Sequence, residues 1–143
     1  MLFTAVLALA FGLGVYAQDA KKDDTETELG NKMDKISSAW KSAKRQLPDA
    51  SKNADTLAKL ASVKENMTAA LKLEPALKAE KPSAEQAKFV ADYQAKMKET
   101  IVKIDQVTAL LKAGKNEEAA ELVKVVDQDQ KDAHKQFKKG KKK

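Results

Sequence analysis

The chain has a single histidine, His134, and no cysteine. Side-chain chemistry that needs nitrogen or sulfur donors therefore rests on that imidazole and on a few thioethers, of which Met33 lies nearest the start of the folded region. If the two meet, they form the axial donor pair that holds haem iron in a six-coordinate state. With both axial positions filled by protein, no site remains for oxygen or substrate, and the iron can only change its oxidation state. The soft thioether favours ferrous iron and raises the reduction potential. Taken singly, each residue has a plainer reading. A histidine near a helix C-terminus suits the dipole there, and a methionine on an apolar stripe packs a core. The lack of cysteine excludes disulfides, thiol chemistry, cysteine-type zinc sites and covalent haem attachment through C-x-x-C-H.

The elements that must position these two residues are helices. In Asn116 to Lys139, the residues Ala119, Val123, Val126, Ala133 and Phe137 recur at helical spacing, with Gln130 in the one gap. His134 falls on the flank of that stripe, where the imidazole can point into the core beside Phe137. Asn116 is the expected N-cap, and Glu117 and Glu118 follow where the helix dipole favours acids. From about Thr25 to Leu47, the stripe Leu29, Met33, Ile36, Trp40, Ala43 and Leu47 marks a first helix, stopped by Pro48 and Asp49. A second carries Leu57, Leu60, Val63, Met67 and Leu71 and stops at Pro75. Ser83 opens a third, with Gln86 in the capping-box position. Its face is Phe89, Tyr93, Met97, Ile101, Ile104, Val107 and Leu111, and Gly114 closes it. No stretch alternates with a period of two, so the chain is all-α.

Four helices of roughly 20 residues joined by short loops fold as an antiparallel up-down-up-down bundle. In that topology the beginning of the first helix and the end of the last share one end of the molecule. Met33 and His134 are then placed to face each other across one end of the core. The start of the third helix reaches the same end, so Phe89, Tyr93 and Met97 are suitable walls for a flat apolar slot. Beyond Met1, the methionines fall one to a helix on the first three helices, with no methionine-rich motif of the kind that binds copper.

Composition and the N-terminal run set the outer bounds. With 143 residues there is one core, and a formal charge of +6 with 34% charged residues describes a basic, soluble mature chain. Leu2 to Tyr16 is apolar and short for a membrane span, and Val15 and Ala17 fit a signal-peptidase site. The expected organisation is a signal peptide over 1–17, a flexible leader over 18–24, the bundle over 25–139 and a basic tail over 140–143. Cleavage gives a periplasmic protein with no stable membrane anchor; a retained anchor is the alternative.

The segment LGNKMDKI, Leu29 to Ile36, resembles the methionine-bearing segment of the cytochrome b562 family of periplasmic four-helix haem proteins. Lys103 to Lys139, with the glycine turn at Gly114 and the later histidine, resembles that family's last turn and final helix. The resemblance covers about Glu28 to Lys139. It implies one non-covalent haem b, with Met33 and His134 as its ligands, and an electron-transfer role. Gln130 departs from the arginine usual one turn before the ligand histidine. The second helix matches only in pattern, and the lysine tail is an extension.

Six of the last nine residues are lysine. Such a block is often a solvated tail; beside a haem it would attract propionates and then an acidic redox partner protein. Nucleic acid is not an expected partner, since no aromatic–basic groove is evident. A monomer is expected. No nucleophile–base constellation or phosphate loop is present, and a di-metal carboxylate site would need a second histidine, so no enzyme activity is expected. The competing function is a haem-free exported bundle acting as a periplasmic binding or chaperone-like protein.

Overall fold

The computed structural model describes residues 27–140. The signal peptide and leader expected over 1–24, and the final lysines, lie outside these residues. Four helices follow in order: α1 (Glu28–Gln46), α2 (Asn53–Ala70), α3 (Ser83–Lys112) and α4 (Asn116–Phe137). Two 3-10 turns, Ala50–Lys52 and Ala76–Glu80, sit in the connections, and no strand occurs among the described residues. None of the described helices is long and apolar enough to cross a membrane.

Each helix boundary has a local cause. At α1, Thr27 Oγ1 accepts the Gly30 N–H at 3.0 Å, which satisfies one of the donors a helix start leaves open. Gly114, at φ 72°, ends α3: the Lys115 N–H donates to the Leu110 carbonyl and the Gly114 N–H to that of Leu111, the paired bonds of a left-handed helix stop. A Cβ added to Gly114 would meet nothing within 4 Å, so the turn selects glycine for its backbone angle and not for space.

Two expected caps take other roles. Asn116 is the first residue of α4, and its amide donates to the Leu47 carbonyl at 2.7 Å and to Asn53 Oδ1 at 2.8 Å. Asn53 answers with a 3.0 Å bond to Asn116 Oδ1. Leu47 ends α1, Asn53 begins α2 and Asn116 begins α4, so this reciprocal amide pair ties three helix termini together at one end of the bundle. Short connections alternate helix direction, and this closed end is the far end from Met33 and His134. Ser83 likewise starts α3 without capping it, and Gln86 instead donates to the Lys81 carbonyl at 3.1 Å. Pro82 precedes the helix with an extended backbone and holds Lys81 within reach.

The core runs along the inner faces of all four helices, with Leu60, Val63, Ile104, Val107 and Leu111 almost fully enclosed. Consecutive helices pack backbone to backbone, whereas the backbones of α1 and α4 stay mostly apart. Side chains bridge that wider gap. Trp40 Nε1 donates to Asp127 Oδ1 at 2.7 Å, and Lys44 Nζ meets both oxygens of the same carboxylate at 2.9 Å. The helices are unequal: α3 has 30 residues and α2 only 18. At 1.5 Å per residue, α3 outreaches α2 by about 18 Å. The connection carrying Leu77 folds over the excess and packs on the core.

If the amide pair fixes the closed end, Asn116→Ala leaves the Leu47 carbonyl and Asn53 Oδ1 without the donor they share. The expected loss is about 1–3 kcal/mol, measured by denaturant or thermal unfolding. An unchanged midpoint would show that the pair contributes nothing.

Candidate functional site

At the end opposite the amide pair, the helices enclose a partly open cavity of about 260 Å³. Its walls follow from helical spacing. Met33, Ile36 and Trp40 come from one face of α1, Tyr93, Met97 and Ile104 from one face of α3, and Val126, Gln130, His134 and Phe137 from one face of α4. Val63 and Met67 on α2 close it from the side diagonal to α4.

Met33 and His134 therefore line the same space from different helices, although they lie far apart in sequence. Met33 is half-buried and leans on the core. His134 sits at the rim. The residue as a whole is exposed, yet its imidazole is desolvated enough for burial to be the first cause of a lowered pKa, with the nearby Lys138 charge second. Both effects favour the neutral ring, the form with a free lone pair. Neither ring nitrogen has a hydrogen-bond partner among the described residues.

Met67 and Met97 line the cavity as well and are more deeply buried, at 5% and 9% exposure. Their positions differ from that of Met33 in one respect. Met97 is on α3, which packs closely on α4, whereas Met33 is on α1, across the one wide gap. Met67 is on α2, diagonal to α4, so Met33 is the cavity methionine on the neighbouring helix whose backbone stands apart from that of α4.

Of the expected walls, Tyr93 and Met97 line the cavity and Phe89 does not. Phe89 lies one layer back: its ring centroid is 5.4 Å from that of Phe137, and the Lys81 ammonium stands 5.3 Å from its centroid. Phe137 occupies the wall in its place and also meets Tyr93 edge-on at 5.7 Å. The Tyr93 hydroxyl donates to the Ala70 carbonyl at 3.1 Å, and burial pushes its pKa up to about 12. Tyr93 thus offers the cavity a neutral aromatic ring.

Sequence reasoning assigned no site role to Trp40, Phe137 or Lys96. Trp40 lies two turns from Met33 on the same face, and Lys96 flanks the Tyr93–Met97 stripe, so spacing held a signal for both. Lys96 lies 3.1 Å from Glu99 and 3.6 Å from Asp129. Lys103 pairs with the same two acids, and its pKa is raised first by the bond to Asp129 and then by that to Glu99. Among the described residues, no group of three or more histidine or acidic side chains could hold a bare metal ion.

The lowered His134 pKa carries a sign. The unfolded chain binds the proton more tightly, so this residue's contribution to stability is present above about 6.5 and is lost as pH falls through the folded-state value. In the haem-free protein, NMR titration of the His134 ring should give a midpoint below 6.5. A midpoint at 6.5 would place the ring in open water, and one above it beside an acid.

A family model described as cytochrome b562 matches residues 28–138. No curated protein and no solved structure matches the chain. The matched span runs from the first residue of α1 to just past the last of α4, and so includes every helix that lines the cavity. The chain belongs to the cytochrome b562 family, a family of haem-binding electron-transfer cytochromes.

Proposed function

We propose that the cavity holds one non-covalent haem b, with the Met33 sulfur and a His134 ring nitrogen as its axial ligands, and that the protein is an electron carrier. The observation that carries this reading is that Met33 and His134 line one cavity across the only wide gap between neighbouring helices.

The donor set fits such a group. Two protein donors are too few for a bare ion, but they complete the coordination of an iron whose other donors come from a macrocycle. Aromatic and aliphatic walls suit a flat apolar ring, and the missing cysteines suit a group bound without thioether links. When bound, haem supplies a one-electron ferric–ferrous couple.

The chain's own residues do the rest. His134 is held neutral by its surroundings and needs to lose no proton before it can donate its lone pair. Met33 supplies a soft donor that favours the reduced state. Phe137, Tyr93 and Trp40 exclude water from the inner wall. Two protein ligands leave no position for a substrate, so a carrier role is favoured over catalysis. Lys96, Lys138 and Lys139 at the cavity favour an acidic redox partner by long-range attraction. The apolar N-terminal run supports export to the periplasm, with the mature protein acting as a soluble monomer.

Absorption spectra of the protein purified with haem available provide the test. A strong Soret band, with sharp α and β bands on reduction, is expected. His134→Ala should abolish low-spin ligation, whereas Met33→Ala should leave a five-coordinate, high-spin iron of lower potential. A colourless wild-type protein that takes up no added haem would favour a haem-free binding or chaperone-like role.

A further inference from the structure

Charge is distributed unevenly around the cavity. The one acid that lines it is Asp34, on α1, while the cations Lys96, Lys138 and Lys139 come from α3 or from the end of α4. A ligand with an acidic edge would be repelled from one side and drawn to the other.

Among the cations, Lys96 occupies a distinct position. Lys138 and Lys139 follow the last residue of α4, and Lys139 is 2.6 Å from Glu80. Lys96 rises from the interior of the longest helix, next to Met97, and its side chain is only 28% exposed. Its own ion pairs are the looser ones in their cluster. Glu99 lies 2.8 Å from Lys103 against 3.1 Å from Lys96, and Asp129 is likewise nearer Lys103 than Lys96. Lys96 can therefore turn toward a new carboxylate while Lys103 keeps both acids paired. Gln130, adjacent to Asp129 on α4, also lines the cavity, and its amide has no hydrogen-bond partner among the described residues.

We propose that Lys96, with the Gln130 amide as a second donor, anchors the carboxylates of the ligand in this cavity and turns its acidic edge toward α3 and α4, away from Asp34. This rests on the reading of the cavity as a haem site, since haem b carries two propionates. A charge-assisted bond from an ammonium held on a rigid helix is short and strong. It selects a diacid porphyrin over a neutral one and fixes which edge faces the α1 side.

The test uses the haem-free full chain and two metal-free probes, protoporphyrin IX and its dimethyl ester, titrated by fluorescence. Without iron, Met33 and His134 contribute no ligation. The wild type should bind the diacid more tightly than the ester. Lys96→Gln should weaken diacid binding by about tenfold and leave the ester unchanged. Lys96→Arg should keep the preference, and so should Glu99→Gln, which loosens the same ion cluster but retains the ammonium. The proposal is overturned if Lys96→Gln binds the diacid as the wild type does, or if the wild type binds both probes equally. If the wild type binds neither probe yet takes up haem, the proposal alone is overturned; if it takes up no haem either, the haem-site reading falls with it.

Discussion

The separation of α1 from α4 at one end of the bundle is the constraint on which the rest depends. The three consecutive pairs are in close backbone contact, whereas α1 and α4 are not. That fourth pair is joined through the Trp40–Asp127–Lys44 group and, beyond it, through the Asn116–Leu47 bond. Past Trp40 no polar bridge joins the two helices among the described residues, and Met33 and His134 lie in that stretch. Hydrophobic closure there would bury two side chains that instead line a cavity. Between α1 and α4 the polar ties thus lie toward one end, and the other end is left to surround a guest.

Trp40 links the two regions. Its ring lines the cavity, while its indole N–H reaches out to Asp127, and the Lys44 ammonium both pairs with that carboxylate and stands 5.9 Å from the ring centroid. A buried indole with a satisfied N–H stabilises the core, and here it also marks the depth of the cavity. On the other flank, the Lys96–Glu99–Lys103–Asp129 group ties α3 to α4 while leaving one ammonium loosely held. Positioning and binding functions are thereby divided between neighbouring lysines.

Much of this was legible in the sequence, for a reason that applies to any helical bundle. A repeat near 3.6 fixes which face of each helix turns inward, and short loops fix its direction, so Met33 and His134 could be assigned to one end without coordinates. What periodicity does not fix is how far each helix slides along its neighbour. Phe89 was expected at the cavity wall and lies one layer behind it, because Phe137 reaches that level from α4. Asn116 was expected to cap its own helix and instead joins α1 and α2. Trp40 was recognised as core, but its Asp127 partner is 87 residues away and depends on the α1–α4 offset. Lys96 was overlooked because a lysine on the flank of a stripe looks like any solvated charge until the helix across from it is in place.

Met33, Met67 and Met97 all line the cavity, and the sulfur that faces His134 decides how a haem would be held there. Methionine methyl groups labelled with carbon-13 answer this directly by NMR of the ferrous haem-loaded protein. A methyl bound over the porphyrin face is displaced far upfield by the ring current, and substitution of single methionines assigns it. The displaced signal is expected to belong to Met33 alone and to vanish in Met33→Leu. A displaced signal that survives Met33→Leu, or the absence of any displaced methionine methyl, would contradict Met33 ligation.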